Sequence, residues 1–312
     1  MEIIKCHGSG NDFIMVDTTC DDTLRDIDWC SFARAACDRS TGIGSDGILL
    51  VIKHEDGIYG MDMLNPDGTH AEMCGNGIRC VARLASERGY LSSGILRSGE
   101  RDYPCAMASE IYEGIATFAV DIPISLWSKS FAHFHSEESF IGKVIEELHP
   151  ELKFTALNLG NPHIVAHVEK IDLSLLEELG ERVKVLTHIF PEGVNVSLYE
   201  RHSARSIFVA TYERGAGITL SCGTAMTASA TAATLLGLTT SNTRIEVRNR
   251  GGMVHCQTSI SKEGITTRLE GNATFEWRGE ATFDSGILSY RKLQNSGEAE
   301  RWERFVQSIN KE

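Results

Sequence analysis

Apolar and β-branched residues along this chain gather into short runs punctuated by Gly, Asn, Asp and Ser, a spacing that predicts strands more often than long helices. In the first half the runs are Phe13-Ile14-Met15-Val16, Ile48-Leu49-Leu50-Val51-Ile52 and Ile115-Ala116-Thr117-Phe118-Ala119-Val120. In the second they are His163-Ile164-Val165-Ala166-His167-Val168, Ser206-Ile207-Phe208-Val209-Ala210-Thr211 and Arg244-Ile245-Glu246-Val247. Each half also holds one principal helix, predicted over residues 75–88 and 223–236. The second of these is almost entirely Ala, Thr, Met, Ser and Leu, so it is expected to be buried nearly all round, with strands wrapped closely about it. Residues 126–148 mix aromatics, histidines and acids and read as a linker followed by a helix over 138–148. Residues 173–185 carry apolar positions at helical spacing. In the tail, Trp302, Phe305, Val306 and Ile309 follow the i, i+3, i+4, i+7 rule of a packing helix, to which no chemistry is assigned. The expected class is α+β: two pseudo-symmetric halves, each a mostly antiparallel sheet curled around a central helix.

The doubling is visible in the residues themselves. Met73-Cys74-Gly75-Asn76-Gly77 is echoed by Ser221-Cys222-Gly223-Thr224-Ala225, at an offset of 148. Gly10-Asn11-Asp12-Phe13-Ile14 reappears as Gly160-Asn161-Pro162-His163-Ile164, at an offset of 150, and Asp46 falls opposite Asn195 at 149. Asn65 lies nine residues before Cys74, and Glu213 nine before Cys222. Landmarks in one order at nearly one offset indicate a duplicated unit.

A chain of 312 residues, 42% hydrophobic, can bury a large core and is long enough for two domains. Its formal charge of −13 argues against a nucleic-acid surface, which normally carries a basic patch. No apolar run approaches a membrane span, and Met1-Glu2-Ile3-Ile4-Lys5-Cys6 lacks the core of a signal peptide. Nine cysteines, an odd number without a leader, are expected in a reducing cytoplasm. Their spacing opposes a metal site, since no C-x2-C pair occurs, and Cys80, mid-helix, reads as core.

Cys74 and Cys222 differ from the rest because each stands where a helix begins. Removing an amino acid's α-hydrogen leaves a carbanion that many enzymes stabilise with pyridoxal phosphate on a lysine. No lysine here sits in a recognisable setting of that kind, so no cofactor is expected. Without one, the protein must stabilise an enolate-like carboxylate. Backbone N–H groups at a helix N-terminus can do so, one such donor being worth roughly 3–4 kcal/mol. The same helix start lowers a cysteine pKa from about 8.5. One thiolate then acts as base while the other thiol supplies a proton to the opposite face, and reversal exchanges the roles. Cys74 and Cys222 are therefore the candidate catalytic pair. Simple turn cysteines and a redox pair remain alternatives. Arg214 suits a carboxylate and Glu213 an ammonium, together an amino-acid head group. Asn11, Asn65, Asn161 and Asn195 lie in turn-like contexts where asparagine is also common for backbone reasons.

Taken together, His7-Gly8-Ser9-Gly10-Asn11-Asp12-Phe13, Asn65-Pro66-Asp67-Gly68, Cys74-Gly75-Asn76-Gly77-Ile78-Arg79-Cys80, Gly160-Asn161-Pro162-His163, Tyr212-Glu213-Arg214-Gly215-Ala216-Gly217 and Cys222-Gly223-Thr224 resemble the diaminopimelate epimerase family. The resemblance implies a site in the cleft between the halves. It implies interconversion of LL- and meso-diaminopimelate, on the route to lysine and cell-wall peptide, without cofactor or metal. It matches Cys74 and Cys222 to the catalytic positions, and Gly75, Asn76, Gly223 and Thr224 to the cradle of the reacting carboxylate. Asn11, Asn65, Asn161, Asn195, Glu213 and Arg214 match substrate-binding positions. It further implies a homodimer and a first half, residues 1–121, completed by a strand near 274–290, with the second half at 122–273 and a helical extension at 291–312. The chain departs from the family pattern at Ile218, where an acid is usual, at Ala225, where glycine is usual, and at Glu270-Gly271-Asn272-Ala273. Residues 98–127 match poorly. A related racemase of another amino acid, a non-catalytic binding protein and a redox switch are the alternative readings.

Overall fold

The computed structural model describes residues 1–71, 73–126 and 139–309. The chain forms two compact units, one of residues 1–120 and 270–312, the other of residues 121–269. The first opens with β1 (Glu2–Gly8) and β2 (Asn11–Asp17), then α1 (Trp29–Cys37), β3 (Ile48–Lys53), β4 (Tyr59–Leu64), α2 (Gly75–Glu87), β5 (Ile95–Ser98), β6 (Arg101–Ala108) and β7 (Thr117–Ile124). The second holds β8 (Lys143–Ile145), β9 (His149–Asn158), β10 (Pro162–His167), α3 (Leu173–Val185), β11 (Asn195–Ser203), β12 (Ser206–Glu213), β13 (Gly217–Ile218), α4 (Gly223–Leu235), β14 (Arg244–Asn249), β15 (Gly252–Ser261) and β16 (Gly264–Asn272). The chain then returns to the first unit through β17 (Thr274–Asp284), β18 (Ile287–Asn295) and α5 (Glu298–Ile309). β17 pairs antiparallel with β1 and with β18.

The two units repeat one pairing scheme. In the first, β1–β2 is antiparallel, β2–β3 parallel, β3–β4 antiparallel, β4–β5 parallel and β5–β6 antiparallel. In the second, β9–β10, β10–β11, β11–β12, β12–β14 and β14–β15 alternate in the same order. Each parallel pair needs a crossover, and helices supply it at matching places. α1 and α3 span the first crossover, α2 and α4 the second. Asn11 stands at the start of β2 and Asn161 immediately before β10, and Cys74 and Cys222 stand immediately before α2 and α4. The mostly antiparallel α+β architecture expected from the residues is the one observed.

Local chemistry explains the helix ends. Asp28 caps α1 by accepting the Ser31 N–H, and Asp172 caps α3 by accepting those of Ser174 and Leu175. α4 is buried at every position from Gly223 to Ala233. Its threonines would leave hydroxyls dry, and they are satisfied by folding back on the helix. Thr227 donates to Gly223 O, Thr231 to Thr227 O and Thr234 to Ala230 O, at 2.8 to 3.0 Å. In α3, Gly180 lies flat against the Tyr212 ring, where a Cβ would sit 2.1 Å from ring carbon. α3 closes a core that includes Phe154, Ile164, Leu176, Leu179, Val196 and Leu198.

One expected helix is absent. Among the described residues of 138–148, the chain forms β8 and a turn into β9, and Glu138 itself lies outside the described residues. Gly142 takes φ +60°, which breaks a helix, and the β-branched pair Val144-Ile145 follows it. Ile145 and Leu148 then turn into the core around Phe154. The tail helix is present, with Trp302 and Phe305 buried.

Candidate active site

Cys74 and Cys222 are the N-cap residues of α2 and α4, two helices of 13 residues each. Their backbones are nearly superimposable in conformation, at φ −121°, ψ 108° and φ −126°, ψ 112°. An N-cap residue is extended while the residues after it are helical, so its side chain lies beside the unpaired N–H groups of the first turn. Cys74 uses that geometry directly, its sulfur accepting the Gly77 N–H at 3.4 Å. Small residues follow each thiol, and Gly75, Asn76, Gly223 and Thr224 are all buried. Both helix starts thus offer a thiol and backbone donors at one point, with the positive end of the helix dipole behind them.

Around Cys74, the thiol points to Asn11 Oδ1 at 3.9 Å, and Asn76 Nδ2 donates to the same oxygen at 3.3 Å. The orientation of the Asn11 amide follows from its other end. Nδ2 donates to Asp46 Oδ2 at 2.8 Å, an atom that only accepts, so the carbonyl must face the thiol. Asp46 is held in turn by Arg39 at 2.7 Å. Arg39 and Lys5 also hold Asp12, whose carboxyl is pushed down to about 2. Beneath α2 lies Arg79, with no exposed surface. It donates to Gly75 O at 2.8 Å, Asn76 Oδ1 at 3.0 Å, Asn272 O at 3.2 Å and Ser9 Oγ at 3.4 Å. The guanidinium therefore ties the first turn of α2 to the β1–β2 turn and to the end of β16. Asn65 is placed differently: its amide closes its own turn on Thr69 Oγ1 at 3.0 Å, and it makes no hydrogen bond with Asn11 or Cys74.

Around Cys222, Thr224 Oγ1 lies 3.4 Å from the sulfur and is also reached by His163 Nε2 at 3.1 Å and Asn161 Nδ2 at 3.3 Å. His163 Nε2 is 3.0 Å from Asn161 Oδ1, an acceptor, which assigns the ring proton to Nε2. Asn195 is a buried brace: Nδ2 donates to Pro162 O at 3.1 Å and Oδ1 accepts the Arg214 N–H at 2.9 Å. The Arg214 stem passes over Gly193, where a Cβ would meet its Cδ at 2.8 Å, and its head donates to Glu192 O at 2.7 Å. Glu213 accepts from the Thr219 hydroxyl. Among the described residues, no three His, Cys, Asp or Glu side chains converge in a metal-ligating group.

One electrostatic expectation is reversed. A helix start should lower a thiol pKa, yet Cys222 is pushed well above the ordinary value. Burial is the main cause, with 7% of the residue exposed, and the neighbouring Glu213 carboxylate adds to it. Burial and Glu213 therefore favour the neutral thiol form of Cys222.

Two buried histidines titrate the other way. Burial lowers His163 to about 3, helped by the Arg214 charge, and lowers His7 to about 4. Between these values and the unfolded value near 6.5, the unfolded chain binds more protons, so stability rises with pH and is complete above about 6.5. Lowering the pH from 7 to 5 is expected to cost about 2 kcal/mol per histidine. Urea midpoints at the two pH values test this. His163→Gln should remove its share of the difference, and an unchanged difference would contradict the assignment.

Several residues that shape these sites escaped the pattern of the sequence. Arg79 and His163 stand inside the family-like motifs but read as a helix cation and a strand residue. Asn272, which receives Arg79 and clamps Ser9, is 196 residues beyond Asn76 and no local signal links them.

The arrangement has known counterparts. The fold is that of a solved Bacillus anthracis phenazine biosynthesis protein of the PhzF family (TM-score 0.65, 15% identity, 91% of this chain and 99% of that one). It is also that of a probable proline racemase from Agrobacterium radiobacter K84 (TM-score 0.62, 14% identity, 91% and 93%). At the level of sequence, the family model for diaminopimelate epimerase matches residues 3–96 and 155–276. Proteins named diaminopimelate epimerase from Clostridium acetobutylicum and Ligilactobacillus salivarius are 37% and 35% identical to this chain. The first alignment covers 99% of this chain and 93% of the relative, and the second covers all of both. Fold and sequence together define an isomerase of the epimerase and racemase class. The chain belongs to the diaminopimelate epimerase family.

Proposed function

We propose that this protein interconverts LL- and meso-diaminopimelate by proton transfer at one α-carbon, with Cys74 and Cys222 as the two acid–base groups. The observation that carries the reading is the duplicated N-cap: two thiols with the same backbone geometry, each opening a helix of equal length. Inversion requires one group to remove a proton from one face and another to deliver a proton to the opposite face. A molecule with two equivalent stations suits a reaction that runs equally in both directions. The reading requires both sulfurs to reach a single α-carbon.

In one direction a Cys74 thiolate takes the α-proton, and the electron pair moves into the carboxylate as an enolate. The Cys222 thiol then returns a proton to the other face. The N–H groups of Gly75, Asn76, Gly223 and Thr224 stabilise the enolate oxygens as charge develops. For the reverse direction Cys222 must become the thiolate, which burial and Glu213 oppose. A bound ammonium paired with Glu213 would cancel that repulsion, so the substrate itself would activate the base. Arg214, Asn161 and Asn195, with Asn11 and Asn65 in the other unit, are assigned to the amino-acid groups of the substrate. A homodimer and a cytoplasmic location complete the proposal. No disulfide joins any of the nine cysteines, and no helix of the described residues is long and apolar enough to cross a membrane.

The test is isotope exchange. The reduced protein, incubated in deuterated water with single-isomer LL-diaminopimelate, should yield α-deuterated meso product. Exchange confined to a simpler amino acid would move the substrate, and half-buried Ile218 would be the place to look for the cause. No exchange with any amino acid would leave a binding or redox role.

A further inference from the structure

The turn that presents Asn11 to Cys74 is under constraint from an unexpected direction. It consists of Ser9 and Gly10, both in the left-handed region at φ 53° and 81°. Glycine adopts that conformation readily, whereas a serine does so only when its surroundings hold it there. Three groups do. Asn272 Oδ1 accepts the Ser9 N–H at 2.7 Å, Arg79 donates to Ser9 Oγ at 3.4 Å, and His7 Nδ1 accepts the Gly10 N–H at 3.3 Å. The His7 ring is itself reached by Asn272 Nδ2, 3.3 Å from its Nδ1, and it lies against Trp302 of α5, with ring centroids 5.6 Å apart.

α5 is well seated for that task. Its Glu298 takes a bidentate pair from Arg83 at 2.6 and 2.8 Å and the Phe275 N–H at 3.2 Å. Arg301 donates to Gly114 O at 3.2 Å, and the Phe305 ring lies tilted against Tyr112, with centroids 5.1 Å apart. Trp302 is 4% exposed and His7 5%. The route from the far end of the chain to the thiol is continuous: Trp302 to His7, His7 to the Ser9-Gly10 turn, the turn to Asn11, and Asn11 to Cys74. The family match ends at residue 276, before this helix begins.

We propose that Trp302, acting through His7, is a positioning residue for Asn11 and the Cys74 thiol, which makes the C-terminal helix part of the reacting apparatus. The proposal rests on the reading of Cys74 as an acid–base group. A misplacement of about 1 Å away from the reacting atoms can cost up to about 100-fold in rate. In full-length protein, Trp302→Ala should therefore lower kcat by about 10- to 100-fold while KM changes by less than about threefold. Trp302→Phe keeps a ring on His7 and should recover kcat to within about threefold.

A second readout needs no substrate. The rate of Cys74 alkylation by iodoacetamide across pH, followed by peptide mass spectrometry, should shift by about fivefold or more in Trp302→Ala, as the thiol loses its fixed contact with Asn11. The exposed Cys20, which contacts Tyr90, should be unaltered and serves as control. If Trp302→Ala does not fold, His7→Asn removes the ring while keeping an acceptor for the turn, and the same losses are expected. Wild-type kcat and wild-type Cys74 alkylation in either folded variant would overturn the proposal, as would a loss of activity no greater than the unfolded fraction. Should the wild-type protein act on no amino acid, the functional reading fails, while the alkylation rates still decide the positioning.

Discussion

Replacing Cys222 by alanine is expected to abolish inversion, with kcat lowered at least about 10²- to 10⁴-fold, the range for loss of a positioned acid or base. Cys74→Ala should do the same, because in the proposed scheme each thiol serves one face of the carbon and neither can serve the other. The measurement is the rate of conversion of LL- to meso-diaminopimelate by chiral chromatography, in protein shown to be folded. Retention of more than about a tenth of the wild-type rate by either variant would refute a two-base scheme. The cost to stability should be small at Cys74, which is half-buried, and larger at buried Cys222. A loss of turnover in Cys74→Ala without a fall in melting temperature is thus the cleaner evidence.

The largest expected effect on stability is at Arg79. Its guanidinium is wholly buried and donates to two main-chain carbonyls, Asn76 Oδ1 and Ser9 Oγ. Arg79→Met would fill most of the volume but leave those acceptors in a dry interior. A buried acceptor left without its donor typically costs about 1–3 kcal/mol, and more than one is left here. For a unit of this size that corresponds to a fall in melting temperature on the order of 10 °C. The position is also closed to repair by small shifts. Gly8 and Gly271 both approach the guanidinium so closely that a Cβ at either would lie 2.8 Å or less from it. A loss below about 1 kcal/mol would show that the buried guanidinium and its hydrogen bonds are dispensable. Activity should fall as well, since the same guanidinium holds Asn76 and the Ser9 turn.

How far the residues alone reach is clear from particular elements. α2 and α4 are legible because a thiol followed by small residues and then an unbroken helical run leaves little else for the chain to do. β2, β3, β10, β12 and β14 announce themselves by β-branched runs. The helix expected over 138–148 fails because one glycine in the left-handed region and the burial of Ile145 and Leu148 outweigh apolar spacing. α1 places Trp29, Phe32, Ala33, Ala36 and Cys37 at helical spacing, but within only nine residues, and its place is set by the crossover that a parallel β2–β3 pair requires.

The candidate site divides along the same line. Both cysteines, Asn76, Thr224, Glu213 and Arg214 could be named from local motifs, because each stands beside a helix start or a turn whose geometry depends on near neighbours. Arg79, Asn272, His163 and Trp302 could not, because their roles come from partners far away in the chain. Asn65, also named from its motif, closes its own turn by donating to Thr69.

The sequence by itself determined the duplication, the two helices that begin at cysteines and the family, since these depend on residue type and spacing within a few turns of chain. Only the tertiary structure decided the ionisation of Cys222, which follows from its burial and the carboxylate beside it, and the support of the Asn11 turn by a tryptophan 291 residues away. Desolvation and long-range packing exist only once distant segments have met, so no local pattern can encode them legibly.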